Sequence, residues 1–172
     1  MEIWDIYDKN RVKTDRTMVR GTPIASGDYH LVVHICIFNS RDEMLIQQRQ
    51  SFKDSWSNQW DITVGGSAVS GDSSGTAATR ELFEELGYRY DFTDIRPHFS
   101  INFERGFDDY YLLNADIALA SLRLQPEEVQ AVKWATRGEI HAMLEHGKFV
   151  PFLGSLIDLT FEMRSRYSCH TD

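Results

Sequence analysis

The chain has 172 residues, of which 18 are Lys or Arg and 26 are Asp or Glu, so its formal net charge is −8. With 42% apolar and 26% charged residues, its composition is typical of a globular protein, and its length suits a single domain over residues 1–172. The acidic balance argues against non-specific binding to nucleic acid, which needs a cationic surface. The longest apolar run, Leu31–Phe38, is too short to span a membrane.

The N-terminus lacks the basic start and the apolar stretch of a secretory signal. Two cysteines, Cys36 and Cys169, cannot build a disulfide framework. A reducing cytoplasm is therefore the expected location.

Alternation of apolar and polar residues over Glu2–Tyr7, followed by the turn cluster Asp8-Lys9-Asn10, predicts a hairpin within an N-terminal extension of about residues 1–28. Runs rich in β-branched and aromatic residues predict further strands at His30–Phe38, Met44–Gln48, Trp60–Val64, Ile95–Phe103, Tyr110–Ala118 and Val132–Trp134. Helices are predicted over Ser73–Leu86, from a capping box at Thr136 to Gly147, and over about Pro151–Arg166. This mixed order predicts an α+β or α/β fold in which helices cover a mixed sheet.

Glutamates of the first predicted helix share one face. At about 100° per residue, Glu84 and Glu85 lie about 60° and 40° either side of Glu81. Like charges at these spacings destabilise a bare helix by about 0.2–0.5 kcal/mol per pair. A hard divalent cation such as Mg²⁺ would offset that repulsion, although a solvated acidic face is the commoner reason for such a stripe. Apolar positions of the same helix are expected on the core side: Leu82, Phe83 and Leu86.

A longer pattern around these glutamates decides between the two interpretations. It reads Gly66-x5-Asp72-x7-Arg80-Glu81-Leu82-x-Glu84-Glu85-x-Gly87-Tyr88. This resembles the Nudix box, in which a glycine and a glutamate precede REUxEExGU, where U is a bulky aliphatic residue. A chance match at this many fixed positions is on the order of one in a million. Asp72 replaces the first glutamate of the box, which supports the arginine in the family, so we expect Arg80 to be held less firmly; Tyr88 replaces the last aliphatic residue.

The resemblance implies a Nudix-type α/β/α sandwich and hydrolysis of the diphosphate linkage of a nucleoside diphosphate derivative or a related organic diphosphate. It implies Mg²⁺ as the cofactor, with Mn²⁺ as a substitute. The implied metal ligands are Glu81, Glu84, Glu85 and the carbonyl of Gly65. Glu81 is a ligand or the general base, and Arg80 orients the glutamates. Carboxylates outside the box are alternative candidates for the base or a further ligand: Asp108, Asp109, Glu127 and Glu128.

Segments outside the box resemble the isopentenyl-diphosphate-isomerase-like branch of the superfamily: WDIYDKN, DYHLVVHICIFN, MLIQQRQSFKDSWSNQWDITVGG and PEEVQAVKW. The true isomerase has a catalytic cysteine and a metal-binding histidine where this chain has Gly65 and Ser67, and another histidine where it has Pro23. The resemblance therefore implies a hydrolase on an isomerase-like scaffold. Isomerase activity is one alternative, and a non-catalytic nucleotide-sensing module is another, although such modules usually lose carboxylates of the box.

Arg49 and Lys53 are candidates for binding the substrate's phosphates, because a guanidinium grips two oxygens and an ammonium supplies a point charge. Plain surface cations are the alternative. His34 is interpreted as a core histidine bonded to a neighbour, and His30 is left out of the metal site. A cluster of aromatic residues is interpreted as core or as a cap over a base or isoprenoid chain: Phe103, Phe107, Tyr110 and Tyr111. The expected partner is a small-molecule diphosphate, and a homodimer is one option for the oligomeric state.

Overall fold

The fold comes from a computed structural model, which describes residues 2–170. Within this range the strands are Ile3–Tyr7 (β1), Lys13–Val19 (β2), His30–Phe38 (β3), Glu43–Arg49 (β4), Trp60–Asp61 (β5), Val64–Ser67 (β6), Phe99–Phe103 (β7), Gly106–Asn114 (β8) and Val129–Thr136 (β9). The α-helices are Ser74–Leu86 (α1), Arg137–Glu145 (α2) and Gly154–Met163 (α3), and a short 3₁₀ turn covers Leu119–Ser121. None of the helices described is both long enough and apolar enough to cross a membrane.

Strand β3 organises the main sheet. It runs parallel to β8 along its whole length. On its other edge it pairs antiparallel with β6 over residues 32–35 and with β4 over residues 37–38. Strand β4 then diverges to pair with β5 and β9, while β7 forms the edge beyond β8. The predicted mixed sheet is confirmed.

Thr63 bridges the gap where β4 and β6 separate along β3. Its buried hydroxyl accepts a hydrogen bond from the N–H of Ile37, 2.9 Å away, and donates to the carbonyl of Leu45. These bonds satisfy backbone groups that lose their ladder partners as the strands diverge. The segment Trp60–Val64, predicted as one strand, is therefore split between β5 and the start of β6.

Side chains of β3 alternate between two layers of core. One face packs against α1, through Leu31, Val33, Ile35 and Ile37 on the strand and Ala77, Ala78, Leu82 and Leu86 on the helix. The other face packs against α2 and α3, through Cys36 and Phe38 on the strand and Ile140, Ile157 and Phe161 on the helices. Nearer the start of β3, Val32 and His34 on that second face line a cleft instead. The predicted α/β/α sandwich is confirmed, and its second helical layer leaves one end of the sheet open.

Several predicted elements are present with shifted ends. Strand β7 begins four residues after the predicted Ile95, because Pro97 lacks the N–H that a ladder needs. Strand β8 starts and ends four residues before the predicted bounds, since a two-residue turn returns the chain directly from β7. Strand β9 is longer than predicted because it pairs with nearly all of β4. Helix α3 begins after the predicted Pro151 and ends before Arg166.

The predicted N-terminal hairpin is formed by β1 and β2, which make a separate two-stranded sheet. Arg11, in its turn, donates hydrogen bonds to Ser100 and to the fully buried carboxylate of Asp109. Asp109 also accepts a bond from the hydroxyl of Ser74 at the start of α1. These bonds hold the hairpin beside the cleft. Arg20, just after β2, lines that cleft.

Helix α1 begins and ends as predicted. Ser73 caps it in a capping box with Thr76, and Gly87 ends it at φ +64°, the left-handed conformation that glycine adopts at low cost. The expectation for Phe83 is wrong, because its side chain is 42% exposed and lies beneath the guanidinium of Arg89, 4.1 Å from the ring centre. Phe83 lies about 100° beyond the buried residue before it, which turns it past the edge of the core stripe.

The close packing of α1 predicts different effects of alanine substitution at two helical glycines. A side chain at Gly75 would overlap the carbonyl oxygen of Phe92, whereas one at Gly138 in α2 would meet nothing within 4 Å. We expect Gly75→Ala to destabilise the fold by about 1–3 kcal/mol despite the better helix propensity of alanine. Gly138→Ala should stabilise it by up to about 1 kcal/mol. Denaturant unfolding measures both, and equal effects of the two substitutions would contradict this packing.

Candidate active site

A cleft of about 690 Å³ lies at the open end of the sheet. Its floor is formed by β3, β6 and β8, and its walls come from α1, the N-terminal hairpin, the loop after β4 and the segment between α2 and α3. Its lining contains seven acidic residues, Glu2, Asp61, Glu81, Glu84, Glu85, Asp108 and Glu128, and three basic ones, Arg20, Arg49 and Arg80. The cleft is therefore strongly acidic.

Arg80 holds the carboxylates of the box together. Its Nη1 donates to Glu81 Oε1 at 2.9 Å and to Glu84 Oε2 at 3.0 Å. Its Nε and Nη2 donate to Asp72 Oδ2 at 3.2 and 2.9 Å, and Nη2 also donates to the carbonyl of Ser67. Burial opposes the positive charge, but Glu81 and Asp72 outweigh it and raise the pKa of Arg80. The expected loose hold is not observed, since the shorter Asp72 still accepts from two nitrogens of the guanidinium.

Glu81 and Glu85 are carboxylates with little exposure to solvent, Glu81 being partly buried and Glu85 buried. Burial raises the pKa of Glu81 to about 6, although Arg80 acts in the opposite direction. Glu85 is 4% exposed, and its burial, together with the charge of Glu81, raises its pKa well above the ordinary value. The amide of Gln47 donates to Glu85 Oε2 at 2.8 Å. Two adjacent carboxylates that resist ionisation form a site where a bound cation would be strongly stabilising.

A divalent cation fits the chemistry of this cluster. Glu81, Glu84 and Glu85 supply the oxygen donors that hard cations prefer. Gly66 lies so close to the carboxyl group of Glu81 that any side chain there would overlap it, and its neighbour Gly65 lines the same cleft. Within residues 2–170, no three acidic, histidine or cysteine side chains already converge as a ligand set. The arrangement is a cluster of donors rather than a closed coordination shell.

Most of the predicted site residues meet in this cleft, namely Glu81, Glu84, Glu85, Arg80, Gly65 and Arg49. Arg49 donates through Nη1 to the buried Asp61, 3.3 Å away. Lys53 is not part of the lining. Its ammonium donates to both carboxylate oxygens of Glu128, at 2.7 and 2.5 Å, and Glu128 does line the cleft.

The other candidates divide between cleft and core. Among the carboxylates outside the box, Asp108 and Glu128 line the cleft, whereas Asp109 is buried against α1 and Glu127 lies outside the lining. Among the aromatic residues, Phe103 lines the cleft, whereas the other three are buried in the two core layers: Phe107, Tyr110 and Tyr111.

The neighbour to which His34 is bonded is Asp108. Nε2 of the imidazole lies 3.1 Å from Asp108 Oδ1. The ring also stacks on Tyr110, with 4.7 Å between ring centres. His34 nevertheless lines the cleft rather than the closed core, because no helix covers this end of the sheet.

Some residues of the cleft were not predicted from the sequence. Glu2 and Arg20 form an ion pair of 2.8 Å across the hairpin, and the charges that alternate with its apolar residues could have indicated it. Trp56 lies in the loop after β4, half exposed and at φ +51°, an unusual conformation for a bulky residue. Phe152 precedes α3. No local pattern indicates that either aromatic residue faces the cleft.

Comparison with known proteins identifies the family of the chain. Residues 28–156 match the family described as NUDIX domain. An uncharacterized Nudix hydrolase of Listeria innocua is 42% identical over 170 residues, which cover 99% of each chain. Another, from Listeria monocytogenes, is 45% identical over 161 residues, covering 92% of this chain and 95% of the other. An isopentenyl-diphosphate Delta-isomerase of Pectobacterium atrosepticum is 27% identical, with 66% of this chain and 65% of the isomerase covered.

Crystal structures share the fold. A protein of Deinococcus radiodurans has a TM-score of 0.74 at 23% identity, with 94% of this chain and 99% of the other covered. The MutT protein of Methanosarcina mazei has a TM-score of 0.60 at 18% identity, with 80% of this chain and 96% of the other covered. The chain thus belongs to the Nudix family, whose hydrolases act on acid anhydrides of phosphorus and generally use divalent metal ions.

Proposed function

We propose that the protein is a Mg²⁺-dependent hydrolase that cleaves the diphosphate linkage of a nucleoside diphosphate derivative or a related organic diphosphate. The observation that carries this proposal is the group of box carboxylates that line the cleft: Glu81 and Glu84, both bonded to Arg80, and the buried Glu85. Membership of the Nudix family supports the reaction class. Mn²⁺ would substitute for Mg²⁺, because both take oxygen ligands.

The acidity of the cleft supports the need for a cation. Its acidic side chains outnumber the basic ones by seven to three, so an anionic diphosphate would be repelled from it. Bound Mg²⁺ would reverse the local field, neutralise the diphosphate and make a water molecule a stronger nucleophile. Glu84 and Glu85 would hold the ion together with Glu81 and the carbonyl of Gly65.

The chain's own residues would then position the reactants. Arg80 fixes Glu81 and Glu84 through a single nitrogen, which keeps both carboxylates on the cleft side of α1. Glu81, held between Arg80 and Gly66, serves as a further ligand or as the base that accepts a proton from the attacking water. Arg49 would bind phosphate oxygens through its guanidinium. Lys53 would contribute to phosphate binding only if the substrate displaced its ammonium from Glu128.

The lack of space around Gly65 favours hydrolysis over isomerisation. The isomerase needs a thiol at this position, and a Cβ here would lie 3.0 Å from Nδ1 of His34. The imidazole thus occupies the space beside the position of that thiol. We expect that incubation with isopentenyl diphosphate and Mg²⁺ yields no allylic isomer by proton NMR. Appearance of the isomer would reverse this preference.

Glu84 offers a direct test of the proposed hydrolase. Its side chain is about half exposed, so Glu84→Gln should fold normally. Loss of a metal ligand should lower turnover by roughly 100-fold or more. The substrate panel would contain nucleotide sugars, dinucleoside polyphosphates, coenzyme A, NADH and prenyl diphosphates with Mg²⁺, and phosphate-containing products would be quantified. Glu127→Gln, outside the cleft, is the matched control. Full activity of Glu84→Gln on every cleaved diphosphate would refute the assignment.

Burial of Glu81 and Glu85 predicts an unusual dependence of stability on pH. Because both pKa values lie above the ordinary 4.5, the metal-free folded protein binds more protons than the unfolded chain above that pH. Its free energy of unfolding should therefore fall as the pH rises from about 4.5 through 6 and beyond. Thermal melts in EDTA between pH 5 and pH 8 measure this effect.

Glu85→Gln tests the contribution of Glu85 alone, because the new amide oxygen can still accept the hydrogen bond from Gln47. In EDTA at pH 8 it should be more stable than the wild type by about 1 kcal/mol, roughly 2–4 °C in Tm. Mg²⁺ at a hundredfold excess over its Kd should stabilise the wild type by about 2.7 kcal/mol and this variant far less. Glu127→Gln should behave as the wild type. An equal shift of both proteins by Mg²⁺ would place the metal elsewhere.

A further inference from the structure

His34 and Asp108 form a polar pair on the floor of the cleft, beside aromatic side chains. They come from neighbouring parallel strands, β3 and β8, and Nε2 of the imidazole lies 3.1 Å from Asp108 Oδ1. Tyr110 stacks on the imidazole and Phe152 meets it edge-on, with 6.2 Å between ring centres. Neither member belongs to the box, and the hydrolysis proposed above assigns no role to the pair.

The pair is costly to keep at this position. The side chains of His34 and Asp108 are 14% and 21% exposed, and removing a carboxylate from water is unfavourable unless hydrogen bonds replace the lost ones. An apolar residue would fit the same sheet face, as Val32 does directly opposite Asp108. A polar pair retained among aromatic rings indicates a polar ligand.

The hydrogen-bonding capacity of the pair shows what kind of ligand fits. Nδ1 of His34 is buried with no partner among the described residues, so the proton is best placed on Nε2, which donates it to Asp108 Oδ1. That is the one hydrogen bond that the Asp108 side chain makes within residues 2–170. Oδ2 of Asp108 therefore offers an acceptor to the cleft.

The floor beside this pair carries small side chains. Gly65 of β6 lies next to His34, and Ser67 lies opposite Val32, so short side chains border the pair. A planar ring or a sugar can lie on such a floor and donate a hydrogen bond. A hydrocarbon chain in the same place would exclude water from Oδ2 of Asp108 without replacing its hydrogen bonds.

We infer that His34 and Asp108 recognise an N–H or O–H donor on the organic part of the substrate and select against diphosphates of hydrocarbon alcohols. His34 positions the carboxylate, and Asp108 makes the contact. The inference rests on the proposed function for the placement of the diphosphate at the box glutamates. Sites built around a hydrogen bond discriminate strongly against ligands that lack it, because the buried group is then left without a partner.

Binding of non-hydrolysable ligands tests this inference separately from turnover. The probes are the α,β-methylene analogues of ADP, CDP, GDP and UDP and the methylene analogue of geranyl diphosphate, titrated calorimetrically in Mg²⁺. At least one nucleotide analogue should bind the wild type roughly tenfold or more tightly than the geranyl analogue. A preference for one base would identify a base N–H as the donor, and equal binding of all four would identify a ribose hydroxyl; both results support the inference.

Two substitutions complete the test. Asp108→Val removes the acceptor, and Asp108→Asn keeps the shape while replacing one carboxylate oxygen by an amide donor. Both should weaken nucleotide binding roughly tenfold and leave the geranyl analogue unaffected or more tightly bound. Asp116→Asn, at an exposed site bonded to Ser40, is the matched control. Geranyl binding as tight as the best nucleotide, or an equal loss for both ligand classes in Asp108→Asn, would overturn the inference. Absence of any hydrolysis with the binding preference intact would refute the proposed function alone.

Discussion

The guanidinium of Arg80 is the interaction on which the candidate site depends. One side chain donates to three carboxylates and a backbone carbonyl, contributed by α1, by the turn before it and by the end of β6. An arginine suits this role because its planar fork offers several donors in fixed directions and stays charged under all ordinary conditions. It also reduces the repulsion within an acidic stripe that the helix would otherwise place on one face. The orientation of Glu81 and Glu84 therefore follows from a single cation, which is itself half buried by the groups it holds, whereas Glu85 is bonded to Gln47.

The sheet determines where this cluster is exposed. Strand β3 pairs with β8 on one edge and with β4 and β6 on the other. One face of β3 is covered by α1 along the strand, whereas the other face is covered by α2 and α3 only towards its C-terminal end. The uncovered part of that second face becomes the floor of the cleft. Gly66 lets the box helix approach this floor closely, since its missing side chain leaves room for the carboxyl group of Glu81. Fold and site are thus built by the same few strands.

Local patterns predicted what depends on local geometry. The glutamate stripe, the extent of α1 and the β-branched run that forms β3 are properties of segments shorter than about twenty residues, and all of them are found in the structure. The prediction for Phe83 failed because an apolar residue at the margin of a helical stripe has no local signal that distinguishes core from surface. The bounds of β8 were shifted because its start depends on pairing with β3, which no local pattern reports. The contact between His34 and Asp108 likewise joins residues 74 positions apart and follows from the register of two parallel strands.

The attachment of the N-terminal hairpin determines which part of the chain completes the cleft. The hairpin lies before the segment that matches the NUDIX domain, residues 28–156, yet it supplies Glu2 and Arg20 to the cleft. Arg11 and Asp109, which lie outside the box, hold its turn, and Asp5 of β1 accepts hydrogen bonds from Ser70 and Gly71 in the turn before α1. One wall of the cleft is therefore supplied by a segment outside the matched domain that is tied to the turn leading into α1. A chain cut back to the matched residues would lose that wall, and with it the ion pair of Glu2 and Arg20.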